Sequence, residues 1–92
     1  MKKKATPLEV ATRGPDQLGH ALKRFRNREN LSQESLAKSA GIRQATVSKL
    51  ENGSGASEIN TIFAACAALD LEIVLRERKR HKHPQSIEEL FR

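Results

Sequence analysis

The chain has few of the residues that build large cores or aromatic binding sites. Its 92 residues include no tryptophan, no tyrosine and only three phenylalanines. The core of so small a domain must therefore consist of leucine, isoleucine, valine and alanine, and it buries only about 60–65% of the unfolded surface. The scarcity of aromatic rings also disfavours single-stranded RNA as a ligand, because RNA-binding domains stack bases on such rings.

Cysteine and long apolar runs are scarce as well. A single cysteine, Cys66, excludes an internal disulfide and is typical of a reducing compartment. The longest apolar run covers the eight residues 62–69, too few to span a membrane. The lysines at positions 2–4 resemble the start of a secretory signal, but no apolar segment follows them. We therefore expect a cytoplasmic protein without a membrane partner.

The sequence contains no recognisable catalytic or metal-binding pattern. The pair His81 and His83 lies in a polar tail, Cys66 lies on an apolar helix face, and together they do not supply four ligands at a usable spacing. No Ser/His/Asp set, glycine-rich phosphate loop or pair of carboxylates is visible. We expect a protein that is not an enzyme and has no metal, cofactor or small-molecule ligand.

The net charge of +6 is concentrated at the two ends of the chain. Residues 1–14 carry four positive charges and one negative, residues 76–92 carry six and three, and residues 15–75 carry seven of each sign. Basic ends beside a neutral domain favour nucleic acid, whose phosphates release counterions on binding. The alternative is that the lysines and arginines only keep a small protein soluble.

Residues 31–53, LSQESLAKSAGIRQATVSKLENG, predict two short helices joined by a glycine turn. Ser32 can cap the first helix, and Gly41 ends it because glycine readily adopts the left-handed conformation. The second helix is expected over residues 44–52. Two helices and a tight turn within so few residues are typical of the helix-turn-helix, a DNA-binding motif.

One further helix is predicted on each side of this motif. The first should begin at Pro15, a favourable first-turn residue, and run to about Asn30. The fourth should be capped by Ser57, with Glu58 in its first turn. The apolar face expected for the fourth helix consists of Ile59, Ile62, Phe63, Cys66, Ala67 and Leu69.

Residues 71–77 change to an alternating pattern that predicts a β-strand. A lone strand leaves its backbone groups without partners. We therefore expect it to pair with the same strand of a second subunit across a two-fold axis; a hairpin with Leu8–Val10 is the alternative. The residues predicted for this dimer interface are Leu71, Ile73, Val74 and Leu75.

The predicted organisation has four parts. Residues 1–13 form a flexible basic arm, residues 14–71 the DNA-binding domain, residues 71–77 the dimerisation strand, and residues 78–92 a basic, mostly disordered tail. Within the tail, residues 86–89 read as a helix capping box and are followed by two apolar residues. This short amphipathic turn is a candidate for docking into a partner.

The run SQESLAKSAGIRQATVSKLENG resembles the Cro/C1-type (XRE) helix-turn-helix of phage repressors and bacterial regulators. Its most specific parts are Ser32-Gln33, Gly41-Ile42 and the tetrapeptide LENG, and the resemblance covers about residues 16–71. Within that family the chain resembles the HipB-type antitoxins, through GIRQATVSKLEN and LDLEIVL. The resemblance implies an all-α, compact, lambda-repressor-like domain of four to five helices, with a C-terminal β-strand pairing across a homodimer.

The function implied by the resemblance is that of a sequence-specific transcriptional repressor. Such a homodimer binds palindromic operator DNA with half-sites roughly 34 Å apart. A HipB-type antitoxin also binds a HipA-type serine/threonine kinase toxin and represses the operon that encodes both proteins. The alternative is a stand-alone XRE-family regulator without a toxin partner.

The predicted second helix of the motif carries the candidate base-reading residues. Arginine and lysine donate to guanine, glutamine bonds adenine in a bidentate way, and an alanine methyl contacts thymine. These residues are Arg43, Gln44, Ala45 and Lys49. The candidates for phosphate contact are Ser32, Gln33, Thr46, Ser48 and Asn52. The resemblance further implies that Gln33 braces Gln44 and that Arg26 and Glu51 form a structural ion pair.

Overall fold

Four α-helices make up the regular structure of residues 8–78, the part of the chain that this computed structural model describes. In chain order they are α1 (Pro15–Arg28), α2 (Gln33–Ala40), α3 (Gln44–Glu51) and α4 (Ile59–Ala68). The expected all-α class is confirmed, with four helices. The predictions for residues 1–7 and 79–92, which include the paired histidines and the capping box, lie outside the described residues.

The boundaries of α1 and α2 follow from local chemistry. Pro15 opens α1 as predicted, but the helix ends at Arg28 because Asn30 takes a left-handed backbone angle, with φ of 58°. The Ser32 hydroxyl caps α2 by accepting a hydrogen bond from the Ser35 backbone N–H at 3.0 Å. Gly41 ends α2 with φ of 72°, a conformation that costs glycine little. The sequence signals at both ends of α2 are therefore confirmed.

A small aliphatic core joins the four helices. Helix α3 packs against α1 and α2, and α4 packs against α2. The buried apolar side chains are Ala21, Leu22, Leu36, Ala37, Val47, Leu50, Ala65, Cys66 and Leu69. Burial raises the pKa of the Cys66 thiol, because the thiolate would lose its hydration. Cys66 is thus a neutral residue of the core.

The predictions for α4 were wrong in two respects, the N-cap residue and the apolar face. The N-cap is Glu58 rather than Ser57, and its side chain makes no capping hydrogen bond. The apolar residues also divide between two stripes of the helix. Cys66 and Leu69 are buried, whereas Ile59 is 66% exposed and Phe63 is 51% exposed. An isolated subunit covers only one stripe, because the other helices lie on one side of α4.

The predicted strand does not form within the single subunit. Residues 71–78 carry no regular secondary structure, and no strand occurs anywhere between residues 8 and 78. The alternative hairpin with Leu8–Val10 is also not formed; the contact between the two segments is an exposed ion pair of 3.7 Å between Arg76 and Glu9. A strand needs a neighbouring strand, and the described residues 8–78 supply none to residues 71–78.

Gly19 lets α1 approach the end of α3 closely. A methyl group at this position would lie 2.5 Å from the Leu50 carbonyl oxygen and 2.7 Å from that of Glu51. Neither backbone atom can move without displacing α3. The close approach therefore requires glycine, despite its low helix propensity.

We predict that Gly19→Ala lowers the free energy of unfolding by about 1–3 kcal/mol, the usual cost of overpacking. The loss should appear although alanine is about 1 kcal/mol better than glycine inside a helix. Urea denaturation followed by circular dichroism measures it. Gly55→Ala is the control, because a methyl group there makes ordinary contact at 3.7 Å with Pro15. Equal stability of the Gly19 and Gly55 variants would contradict the close approach.

Candidate nucleic-acid interface

Helix α3 presents a polar, exposed face along its outer side. Arg43 is the N-cap residue, Gln44 and Ala45 open the helix, and Lys49 lies one turn further on; all four are exposed. Ala45 and Lys49, four residues apart, lie on the side of α3 opposite the buried residues 47 and 50, whereas Arg43 and Gln44 are exposed because they stand at the N-terminal end of the helix. All four predicted base-reading residues are thus exposed, two at the N-terminal end of α3 and two on its outer side.

The predicted phosphate-contacting residues lie around this surface with different accessibilities. Ser32 and Asn52 are exposed, whereas Thr46 and Ser48 are half-buried. The Ser32 hydroxyl is already used within the protein, since it caps α2 and donates to the Ser35 hydroxyl at 3.1 Å. The Ser32 hydroxyl is therefore less available to DNA than the backbone N–H groups at the start of α2.

Gln33 is half-buried and points toward the end of α3. Its Nε2 donates a hydrogen bond of 3.1 Å to Oε1 of Glu51. In the described part of the chain no hydrogen bond joins Gln33 to Gln44, so the brace implied by the family resemblance is not observed. Gln33 instead links the first turn of α2 to the last residue of α3.

Arg26 and Glu51 form a buried, bidentate ion pair. Arg26 Nε donates to Glu51 Oε2 at 2.6 Å, and Nη2 donates to Oε1 at 2.9 Å. The two residues are only 8% and 5% exposed. Hydrogen bonding to Glu51, aided by charge attraction, raises the pKa of Arg26 although burial opposes it. Arg26 therefore remains charged at neutral pH.

The ion pair is part of a network that joins three helices. Arg26 Nη1 also donates to the Leu31 carbonyl oxygen at 2.8 Å, in the turn between α1 and α2. The Glu51 carboxylate accepts from Arg26 and Gln33, so α1, α2 and α3 meet at one side chain. Sequence reasoning missed the Leu31 and Gln33 contacts, because neither periodicity nor capping patterns signal them. The network sets the orientation of α3 relative to α2.

Other kinds of site are not apparent in this part of the chain. Between residues 8 and 78, no three histidine, cysteine or acidic side chains cluster as ligands for a metal ion. No helix in that range combines the length and the apolar character needed to cross a membrane.

Comparison with known proteins gives consistent matches. The family HTH_3, helix-turn-helix, matches residues 22–75. The antitoxin HipB of Escherichia coli K12 is 36% identical over 75 residues, covering 82% of this chain and 84% of that protein. The solved HipB-O4 20mer complex has a TM-score of 0.73 at 34% identity, covering 77% of this chain and all of the HipB chain. A HipA-HipB-O2-O3 complex gives 0.72 at the same identity and coverage.

We predict that Arg26→Met lowers the free energy of unfolding by about 3–5 kcal/mol, because it leaves the buried Glu51 carboxylate without its cation. The double variant Arg26→Met/Glu51→Met should recover most of that loss, since apolar pairs often replace buried ion pairs at little cost. Urea denaturation at neutral pH measures both.

Arg24→Met is the matched control, because Arg24 lies in the same helix but is exposed. It should change the stability by less than about 0.5 kcal/mol. A single Arg26 variant as stable as this control would show that the ion pair does not hold the helices together.

Proposed function

The chain belongs to the helix-turn-helix family and, within it, to the HipB-type antitoxins, and from this membership we propose that it is an operator-binding repressor that also restrains a kinase toxin. The observation that carries the proposal is the exposed face of α3, held in place by the Arg26–Glu51 network. A stand-alone regulator without a toxin partner is the second candidate.

Base reading is proposed for the exposed N-terminal part of α3. Among the described residues, none of the side chains of Arg43, Gln44 or Lys49 makes a hydrogen bond or ion pair within the protein. Their donors are therefore available to the edges of base pairs. Arg43 and Lys49 suit guanine, Gln44 suits adenine, and the Ala45 methyl suits thymine. This chemistry supports insertion of α3 into the major groove.

Phosphate contacts are proposed for the rim of the same surface. The backbone N–H groups at the start of α2 supply donors and a favourable dipole for a phosphate. Gln33 contributes its backbone N–H there, since its side chain is committed to Glu51. The remaining proposed contacts come from Ser32, Thr46, Ser48 and Asn52. Such contacts position the domain on DNA without reading its sequence.

A two-fold dimer is proposed because the subunit leaves a large apolar surface uncovered. Ile59 and Phe63 are exposed on α4, and Ile73, Val74 and Leu75 are 44%, 64% and 94% exposed. We propose that residues 71–77 pair as antiparallel strands between subunits, with Leu71 also in the interface, and that the outer stripe of α4 packs beside them. The resulting symmetry matches palindromic operator DNA with half-sites roughly 34 Å apart.

The proposed protein partner is a HipA-type serine/threonine kinase. One related structure contains HipA together with HipB, and the chain aligns with all of its HipB chain. The chain itself is proposed to act in the cytoplasm by binding, with no catalysis. Co-purification with a kinase encoded beside this gene would favour the antitoxin function, whereas the absence of such a gene would favour the stand-alone regulator.

We predict that Gln44→Ala weakens binding to the cognate operator by about 1–3 kcal/mol and relaxes specificity at one base pair. The reason is the loss of a bidentate contact to one base. Titration of operator and random duplexes, followed by fluorescence anisotropy, measures both affinities. Ser39→Ala, exposed at the far end of α2, is the control. An equal loss on random DNA would refute base reading by Gln44.

We predict that truncation after Asp70 yields monomers, because it removes the proposed strand. Since Leu71 also packs against the core, the point variant Phe63→Glu tests the interface without shortening the chain. Phe63 is already half exposed in the subunit, so the substitution should leave the helical content unchanged. Light scattering should give the mass of a single chain for each variant, which is 10.3 kDa for a full-length chain and correspondingly less for the truncated one. A dimeric mass for both would exclude this surface as the interface.

A further inference from the structure

A single side-chain hydrogen bond joins α2 directly to α3. Nε2 of Gln33, the first residue of α2, donates to Oε1 of Glu51, the last residue of α3, at 3.1 Å. No other side-chain hydrogen bond or ion pair links these two helices within residues 8–78. The two helices also share the apolar core, in which Leu36 and Val47 are buried. The bond between Gln33 and Glu51 is therefore the directional side-chain contact between α2 and α3.

The other directional contacts at the end of α3 come from α1. Arg26 donates two hydrogen bonds to the Glu51 carboxylate, and the backbone there lies against Gly19. Removal of the Gln33 donor leaves both Arg26 bonds in place, so the buried carboxylate stays paired with its cation. The cost to folding should then be that of one hydrogen bond, below the cost of removing Arg26. Gln33 therefore matters less for stability than for where α3 lies relative to α2.

The contact at Glu51 constrains the opposite end of α3 as well. The helix has eight residues, which give it a length of about 12 Å. A displacement at Glu51 therefore tilts or shifts the N-terminal end, which carries Arg43 and Gln44. Gln44 makes no hydrogen bond to α2 in the described chain, so the placement of the helix alone aims its amide group. Binding groups must be held within about 0.5 Å of their productive geometry, and a small displacement of α3 is enough to lose a base contact.

We propose that Gln33 is a positioning residue for base reading, an inference that rests on the proposed operator binding. Its side chain acts through Glu51 and need not touch DNA. The start of α2 is also the proposed phosphate contact, so the bond between Gln33 and Glu51 sets the position of the base-reading helix relative to the DNA backbone. Loss of this bond should weaken binding to a preferred sequence. Loss of a phosphate contact would instead weaken binding to all sequences alike.

The test measures the affinity of the full chain for two duplexes, one that the wild type selects from a random library and one of unrelated sequence. Gln33→Met removes the donor and keeps the length of the side chain. We expect it to bind the selected duplex about tenfold more weakly, the size expected for one lost base contact, and the unrelated duplex as the wild type does. Fluorescence anisotropy measures both affinities, and circular dichroism verifies that the variant is folded.

Gln17→Met is the matched control. It makes the same substitution in the first turn of α1, where Gln17 Oε1 accepts a hydrogen bond of 2.6 Å from the Arg13 backbone N–H. It also removes one hydrogen bond of a glutamine side chain, but not one between α2 and α3. We expect the control to bind both duplexes like the wild type.

A rescue variant separates the lost hydrogen bond from other effects of the substitution. Gln33→Lys restores a donor that can reach Glu51, and its charge strengthens binding to phosphates on any sequence. The ratio of the two affinities should therefore return to the wild-type value, even if both affinities rise. A ratio as low as that of Gln33→Met would show that the donor to Glu51 is not what matters, and would overturn the inference.

Two results with Gln33→Met would also overturn the inference. Equal losses on both duplexes would mean that Gln33 contributes a phosphate contact and not the placement of α3. Unchanged affinity for both would mean that the bond to Glu51 does not affect base reading. The proposed operator binding is tested separately by the wild type, because a chain that selects no sequence from the library does not read bases at all.

Discussion

The buried ion pair between Arg26 and Glu51 is the constraint on which the arrangement of the other helices depends. One carboxylate accepts from Arg26 and Gln33, and the same guanidinium donates to the Leu31 carbonyl. The free-energy cost of removing two charges from water offsets much of their mutual attraction, so the presence of the pair is weak evidence that it stabilises the fold. Its geometric effect is stronger, because three helices must keep their relative positions to satisfy every donor and acceptor.

The close approach at Gly19 complements that network. The carbonyl groups of Leu50 and Glu51 lie against Gly19, so the last turn of α3 is held by backbone contact on one side and by the ion pair at its end. All of these contacts use the inner side of α3. Within residues 8–78, the side chains of Arg43, Gln44 and Lys49 make no intramolecular hydrogen bond. A helix that binds DNA benefits from being held rigidly by the rest of the fold, because the entropy of ordering it is then lost on folding and not on DNA binding.

Local chemistry made much of the fold predictable, and long-range contacts made the rest unpredictable. Ser32 and Gly41 signalled both ends of α2, because capping depends on neighbouring backbone groups. Arg26 and Glu51 lie 25 positions apart, and only the family resemblance linked them. The sequence could not show which apolar residues of α4 enter the core, because the exposed Ile59 and Phe63 are as apolar as the residues that the core buries. The strand pairing proposed for residues 71–77 involves a second subunit, which a single chain does not display.

The proposed dimerisation would compensate for the zero net charge of residues 15–75. Residues 15–75 carry as many negative as positive charges, so this part of the chain as a whole gains little from nonspecific attraction to phosphates. In a dimer, once one subunit has bound DNA, the second subunit is held near its half-site at a high effective concentration. This increases the overall affinity, which the charges alone would leave low. The gain exists only where both half-sites match. In the proposed dimer, the exposed apolar residues of α4 and of residues 73–75 would therefore contribute to discrimination between an operator and other DNA.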